Sequence, residues 1–148
     1  MTQDDSDVLR AGFDVSFTYT RTVGPVIGAF LTNLRDRKLT GIKGSNGKII
    51  CPPTEYDPDT SEELSELVNL PETGTVTTWS WVANPRPKNH LDKPFAWALV
   101  KIDGADTPML HMVDVDSEDK MSTGMKVKVR WASETHGFIT DIACFEPA

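Results

Sequence analysis

The chain is poor in the side chains that build metal cages and nucleophilic centres. It holds two cysteines, Cys51 and Cys144, in no recognisable spacing motif, and three histidines, His90, His111 and His136, far apart in sequence. The start, MTQDDSDVLR, is acidic and polar and is no export signal, so free thiols in a reduced, cytoplasmic setting are expected rather than a disulfide framework. No apolar run approaches the roughly 20 residues of a membrane span. Positive charge is also scarce. Fifteen Lys and Arg against 22 Asp and Glu leave a formal net charge of −7, which opposes the phosphate neutralisation behind non-specific nucleic-acid binding. The rest is an ordinary globular composition, 39% hydrophobic and 25% charged, over 148 residues. That is enough for one domain, or a small domain with an appendage, whose core needs no staples.

The charge is unevenly spread. Residues 35–48 carry Arg35, Arg37, Lys38, Lys43 and Lys48 against the single acid Asp36, whereas residues 55–72 carry seven acids and no base. Two solvated faces are the plain reading of such blocks; an anion site in the basic stretch is the sharper one.

The strongest pattern is Pro94–Val115. The run PFAWALVKID ends in the turn signal Asp103-Gly104-Ala105-Asp106, and a second apolar run, PMLHMVDV, follows at once, which predicts a β-hairpin. Both faces of its first strand are apolar, so it belongs in the middle of a small barrel with a further layer outside. Gly74–Asn84 predicts a preceding strand with Trp79 and Trp81 on one face. Lys126–Trp131 alternates cleanly, and Gly137–Phe145 completes the set. Five strands, with one helical turn near Asp116–Met121 between the third and fourth, fit an OB-fold, a five-stranded Greek-key barrel. The fold expected is therefore mainly β.

Ahead of the barrel, residues 1–11 are expected to be loosely held. Phe13, Val15, Phe17 and Tyr19 alternate with polar residues, the mark of an extended segment with one apolar face. Val23, Val26, Ile27, Phe30, Leu31 and Leu34 fall at helical spacing and predict a helix over 22–38, with Thr22 as its cap, Pro25 in the first turn and Gly41 beyond its end. Residues 39–60 read as a loop-rich knuckle with a short strand at Ile49-Ile50-Cys51. Residues 61–70 read as a short helix or an irregular crossing strand. The divisions expected are 1–38, 39–72 and 73–148.

No constellation in the sequence makes a catalytic centre. His111 in an apolar strand reads as a core or interface histidine, and Cys144 as a buried thiol. Asp114, Asp116, Glu118 and Asp119 lack the order of a calcium loop and read as a solvated turn. Trp79 and Trp81 read as covered core or interface aromatics rather than a base-stacking platform.

Gly47…Pro52-Pro53, Gly74-Thr75-Val76, Pro94-Phe95, Val100-Lys-Ile-Asp-Gly104 and Gly124-Met-Lys-Val127-Lys-Val129, in that order and spacing, resemble a known family. Its members join N-terminal helices, a rubredoxin-like zinc ribbon and a C-terminal OB-fold, and for long were filed as a domain of unknown function. The resemblance implies a degenerate ribbon here. Counted outward from Pro52-Pro53, the four thiolate positions fall on Lys43, Asn46, Tyr56 and Asp59, so no metal and no cofactor of the chain's own is expected.

The resemblance also implies a non-catalytic partner of thiolases and of thiolase-like lipid-transfer-protein enzymes, including steroid side-chain aldolases, with acyl-CoA as substrate of the complex. The chain would act as a separate subunit of a hetero-oligomer. On that basis Phe17, Val23, Val26, Ile27, Phe30 and Leu34 are expected to dock onto the partner. Arg35, Arg37, Lys38, Lys43 and Lys48 are candidates for the CoA phosphates. The competing reading is an OB-fold nucleic-acid or oligosaccharide binder.

Overall fold

Pro25 starts the helix. A computed structural model describes residues 10–148; the loose start expected for residues 1–11 lies almost wholly outside them. Helix α1 runs Pro25–Arg35, shorter than the 22–38 that the periodicity predicts. Both ends are trimmed by backbone geometry. Gly24 stands before it at φ 92°, and Arg37 takes a left-handed φ of 55° just past it. Thr22 plays no capping role, and Gly41 lies within the next strand.

The knuckle is more ordered than its sequence suggests. Strands β1 (Leu39–Lys43), β2 (Ile49–Ile50) and β3 (Leu67–Leu70) form a three-stranded antiparallel sheet in the order β2-β1-β3. Leu39 pairs with Leu70, and Ile42 lies between Ile50 and Leu67. Gly41 permits the close approach, because a Cβ there would press within 2.9 Å of the Ile50 carbonyl oxygen. Of the two alternatives for residues 61–70 the strand holds, over Leu67–Leu70 only; the residues before it are irregular.

The chain then makes β4 (Thr73–Val82), β5 (Phe95–Ile102), β6 (Met109–Val113), β7 (Lys126–Trp131) and β8 (Ile142–Pro147), which close into a barrel in the order β4-β5-β6-β8-β7. The long antiparallel pairing of β5 with β6, Ala96 opposite Val113 through Val100 opposite Met109, is the predicted hairpin. A short 3-10 turn at Glu118–Lys120 separates the third and fourth barrel strands, as an OB-fold requires. The predicted last strand starts late: Ile139–Asp141 form a 3-10 turn and β8 takes over at Ile142. The closing contact is weak by design of the topology, since β6 meets β8 in parallel at one register position, Val113 opposite Phe145.

One buried cluster joins the layers. Ala96, Ala98, Val100 and Ile102 of β5 meet Val127, Val129, Ile142 and Phe145 inside the barrel, and Phe30, Leu34, Leu39 and Cys51 extend the same core outward. Trp79 and Trp81 are half-buried and pack against it. Among the described residues no helix is long and apolar enough to cross a membrane.

Candidate functional site

The residues expected to dock onto a partner divide into two groups. Val26, Phe30 and Leu34 are 5%, 3% and 0% exposed and belong to the chain's own core, so the expectation that they face a partner is corrected. The reason is the knuckle, whose sheet gives the helix a surface to cover that a bare barrel would not. Ile27 is half-buried. Phe17 and Val23 are exposed, and with them Phe13, Val15 and Tyr19, at 88%, 74% and 69%. The Phe17 and Tyr19 rings lie 5.8 Å apart in a tilted pair. Residues 10–24 have no regular secondary structure and lie outside the core, so these side chains stand in solvent.

Two carboxylates in the knuckle organise this end of the molecule. Glu55 reaches back to the helix, accepting hydrogen bonds from the Val26 N–H at 3.2 Å and the Ile27 N–H at 2.9 Å. It is the cap that the first turn otherwise lacks. Gly24 makes room for it, since a Cβ at that position would collide with the Glu55 carboxylate. Asp57, 3% exposed, accepts from Ser45 N–H at 2.7 Å, Asp59 N–H at 2.8 Å and Thr60 N–H at 3.1 Å. These bonds, that from Ser45 first, hold its carboxyl below the usual range.

Asp57 thus ties the loop at 44–48 to the loop at 57–60, the two halves that a zinc ion joins in a ribbon. The four positions matching such a site do not fit the metal. Lys43 Nζ faces Glu66 at 3.4 Å, Asn46 Nδ2 donates to Asp59 Oδ2 at 3.2 Å, and Tyr56 bridges to Glu63 through its backbone. A cation, an amide, a phenol and one carboxylate make no tetrahedral thiolate or imidazole cage.

The five basic candidates are not gathered into one site. Arg35 pairs with its neighbour Asp36 at 3.6 Å. Arg37 donates to the Ala132 and Ser133 carbonyls at 3.2 and 3.0 Å, fastening the helix end to the β7–β8 connection. Lys43 is engaged by Glu66. Lys38 lines a cleft of about 400 Å³ beside Arg37, Asn33 and Glu72, while Lys48 lines another, of about 200 Å³, beside Asp57 and Asp59. Neither Lys38 nor Lys48 makes an ion pair among the described residues.

A cleft of about 500 Å³ is lined by Lys93, Asp114, Asp116, Arg130 and Glu146; in the sequence Asp114 and Asp116 read as part of a solvated turn. Asp114 is buried, with Lys93 Nζ 2.7 Å from one oxygen and Arg130 Nη2 2.6 Å from the other. Arg130 also reaches Glu146 at 3.2 Å. Burial pushes the Asp114 carboxyl up, but hydrogen bonds from Lys93 and Arg130 outweigh it and hold it low. This network pins the ends of β6, β7 and β8 together. Its signal, Lys93 and Arg130 lying 21 and 16 positions from Asp114, is invisible in local pattern.

The thiols and the central histidine are withdrawn from solvent. Burial pushes Cys51 up to about 12 and Cys144 up to about 11, so both remain protonated and poor nucleophiles at neutral pH. His111 is buried edge-on to Phe145, with ring centroids 5.6 Å apart, and burial lowers its pKa.

A closed five-stranded barrel, a three-stranded knuckle sheet and an exposed apolar arm define an OB-fold module with an N-terminal extension. Residues 67–132 match the model of the ChsH2 C-terminal OB-fold domain. A DUF35 domain-containing scaffold protein of Pyrococcus furiosus is 28% identical over 92 residues, 62% of this chain and 67% of that one. Among solved structures, a DUF35-family protein of unknown function from Sulfolobus solfataricus matches with a TM-score of 0.57 at 23% identity, over 72% of this chain and 78% of that one. The Ltp2-ChsH2(DUF35) aldolase matches with a TM-score of 0.61 at 20% identity, over 86% of this chain and 98% of that one. At these identities the two structures speak for the fold alone.

Proposed function

We propose that this chain is a non-catalytic accessory subunit that binds and supports a thiolase-like acyl-CoA enzyme, either a thiolase or a retro-aldolase. The observation that carries the reading is the arm from Phe13 to Tyr19, where four large apolar or aromatic side chains on alternate residues stand in solvent beside a closed core. Soluble chains rarely leave such a stripe uncovered without a partner for it. The names of two similar proteins, a scaffold protein and an aldolase containing ChsH2, support an enzyme as that partner. Lipid or steroid side-chain breakdown is the setting the reading favours, in the cytoplasm, with acyl-CoA as substrate of the complex. Nucleic-acid or oligosaccharide binding has less support: the net charge is −7, and Lys93 and Arg130 are already paired with Asp114.

Co-expression with a thiolase-like enzyme tests the proposal. A stable complex free of nucleic acid is expected; a chain that elutes alone, or with nucleic acid, contradicts it. Within the same reading, Lys38 and Lys48 are the cations open to the CoA phosphates. Lys38→Gln and Lys48→Gln should each raise the KM of the complex for acyl-CoA several-fold and leave kcat nearly unchanged, the sign of lost uniform binding. An unaltered KM in the double variant removes this chain from CoA binding.

A further inference from the structure

The arm has the pattern of a strand and the fold gives it no sheet. Phe13, Val15, Phe17 and Tyr19 alternate with Asp14, Ser16, Thr18 and Thr20. Aromatic and β-branched residues at a period of two suit a pleated, half-covered surface and not a helix. Yet residues 10–24 pair with no strand of their own chain, and the four large side chains stand 69% to 88% exposed.

The same chain holds an edge without a strand. In the sheet β2-β1-β3 the outer side of β2 is occupied. Asp106 N–H donates to the Ile49 carbonyl at 2.7 Å, and Ile49 N–H donates to the Asp106 carboxylate at 2.8 Å. The outer side of β3 is open. Lys43 N–H donates to the Glu66 carbonyl at 3.0 Å, which fixes the phase of the β1–β3 ladder. Such bonds recur at every second position of an antiparallel pair, so Val68 and Leu70 turn their backbone groups towards Gly41 and Leu39. Leu67 and Asn69 turn theirs outward, and among the described residues their N–H and C=O groups have no partner. Neither Lys nor Pro, common guards of an edge, stands in Leu67–Leu70.

Edge and arm also match in charge and in place. Arg10 and Arg21 bracket the arm, and Glu66 and Glu72 bracket β3. Glu55 caps the helix into which the arm leads, and its own carbonyl accepts from Leu64 N–H at 2.9 Å, just ahead of β3. The root of the arm therefore lies at the end of the molecule where β3 begins.

We propose that, in the absence of the enzyme, the arm of one copy adds as a strand along the β3 edge of a second copy, and reciprocally. A second copy is favoured because arm and edge both belong to this protein and each chain leaves one of each open. Two copies with their β3 edges facing across a twofold axis bring each arm to the other's edge. Reciprocal exchange then uses every arm and every edge, so the assembly closes at a pair and does not grow into a filament. The contact is small: a few backbone hydrogen bonds and an apolar row laid along the half-buried Val68 and Leu70. The pair is therefore expected in concentrated solution, and the dilute chain melts as a monomer. This goes beyond the docking reading, since an arm held by a second copy is withheld from the enzyme, which has to displace it.

Sedimentation of the full chain over a concentration series, joined to amide hydrogen exchange, tests this without the enzyme. A pair that dissociates on dilution is expected. In the concentrated sample, exchange should slow at Leu67 and Asn69, and at every second residue between Phe13 and Thr20, the mark of a strand bonded along one side. Asn69→Pro removes an outward N–H and no bond to β1, so a folded chain that stays monomeric is expected. Deletion of residues 1–20 should likewise leave a monomer at every concentration. A full chain that is monomeric throughout overturns the proposal, as does a pair that survives either change, or assembly beyond two copies. Should Asn69→Pro fail to fold, exchange at Leu67 and Asn69 in the wild type decides, and rates independent of concentration overturn the proposal. A monomer with these amides and the arm protected shows the arm folded onto its own edge and overturns the second copy as occupant. The enzyme enters none of these measurements, so the docking reading stands or falls apart from them.

Discussion

Asp57 does by hydrogen bonding what a metal does in a ribbon. Its three backbone donors come from both loops, and Gly44 is what lets it approach, since a Cβ there would sit 2.9 Å from Oδ2. Because its folded-state pKa lies below the unfolded Asp value of about 3.9, the folded chain binds that proton only at lower pH. Its contribution is therefore complete well above pH 4 and is lost as pH falls through the folded value. Asp57→Asn should melt below the wild type at pH 7, and the gap should narrow as the pH drops from about 5 to about 3. A gap that is constant across that range would show that the charge plays no part. In the sequence residues 39–60 read only as a loop-rich knuckle, because the link from Asp57 to Ser45, 12 positions away, leaves no local signal.

Elements were legible where burial is one-sided. Lys126–Trp131 alternates in sequence and in the barrel, and the Asp103–Asp106 turn announces the hairpin. Strand β1 was hidden because Leu39, Thr40, Gly41 and Ile42 are all buried, which erases alternation. The helix was legible by its spacing, but what its stripe covers was not, because β1, the strand it packs against, had no sequence signal. Its first turn depends on Glu55. Glu55→Ala should cost about 1 kcal/mol in denaturant unfolding and speed hydrogen exchange at Val26 and Ile27. Unchanged exchange at these amides contradicts the cap. Phe30→Asp should unfold the chain rather than merely release a partner, since it places an unpaired charge in a closed core. A folded Phe30→Asp chain would return the stripe to the surface.

At the scale of the molecule, the core ends at α1 and the arm does not share it. Sequence alone marked Phe13–Tyr19 as extended and half apolar, and that segment is what the fold leaves over. The contact of β6 with β8 was not legible, because the two strands are brought together only by barrel closure. The account therefore turns on the arm. The most direct measurement is the affinity of the co-expressed thiolase-like enzyme for the wild-type chain and for a chain lacking residues 1–20, with melting curves of both. The account predicts that the truncated chain keeps its melting temperature and loses at least a hundredfold in affinity, as several buried side chains at roughly 1.5–3 kcal/mol each, less ordering costs, would require. Equal affinity for the two chains would contradict it.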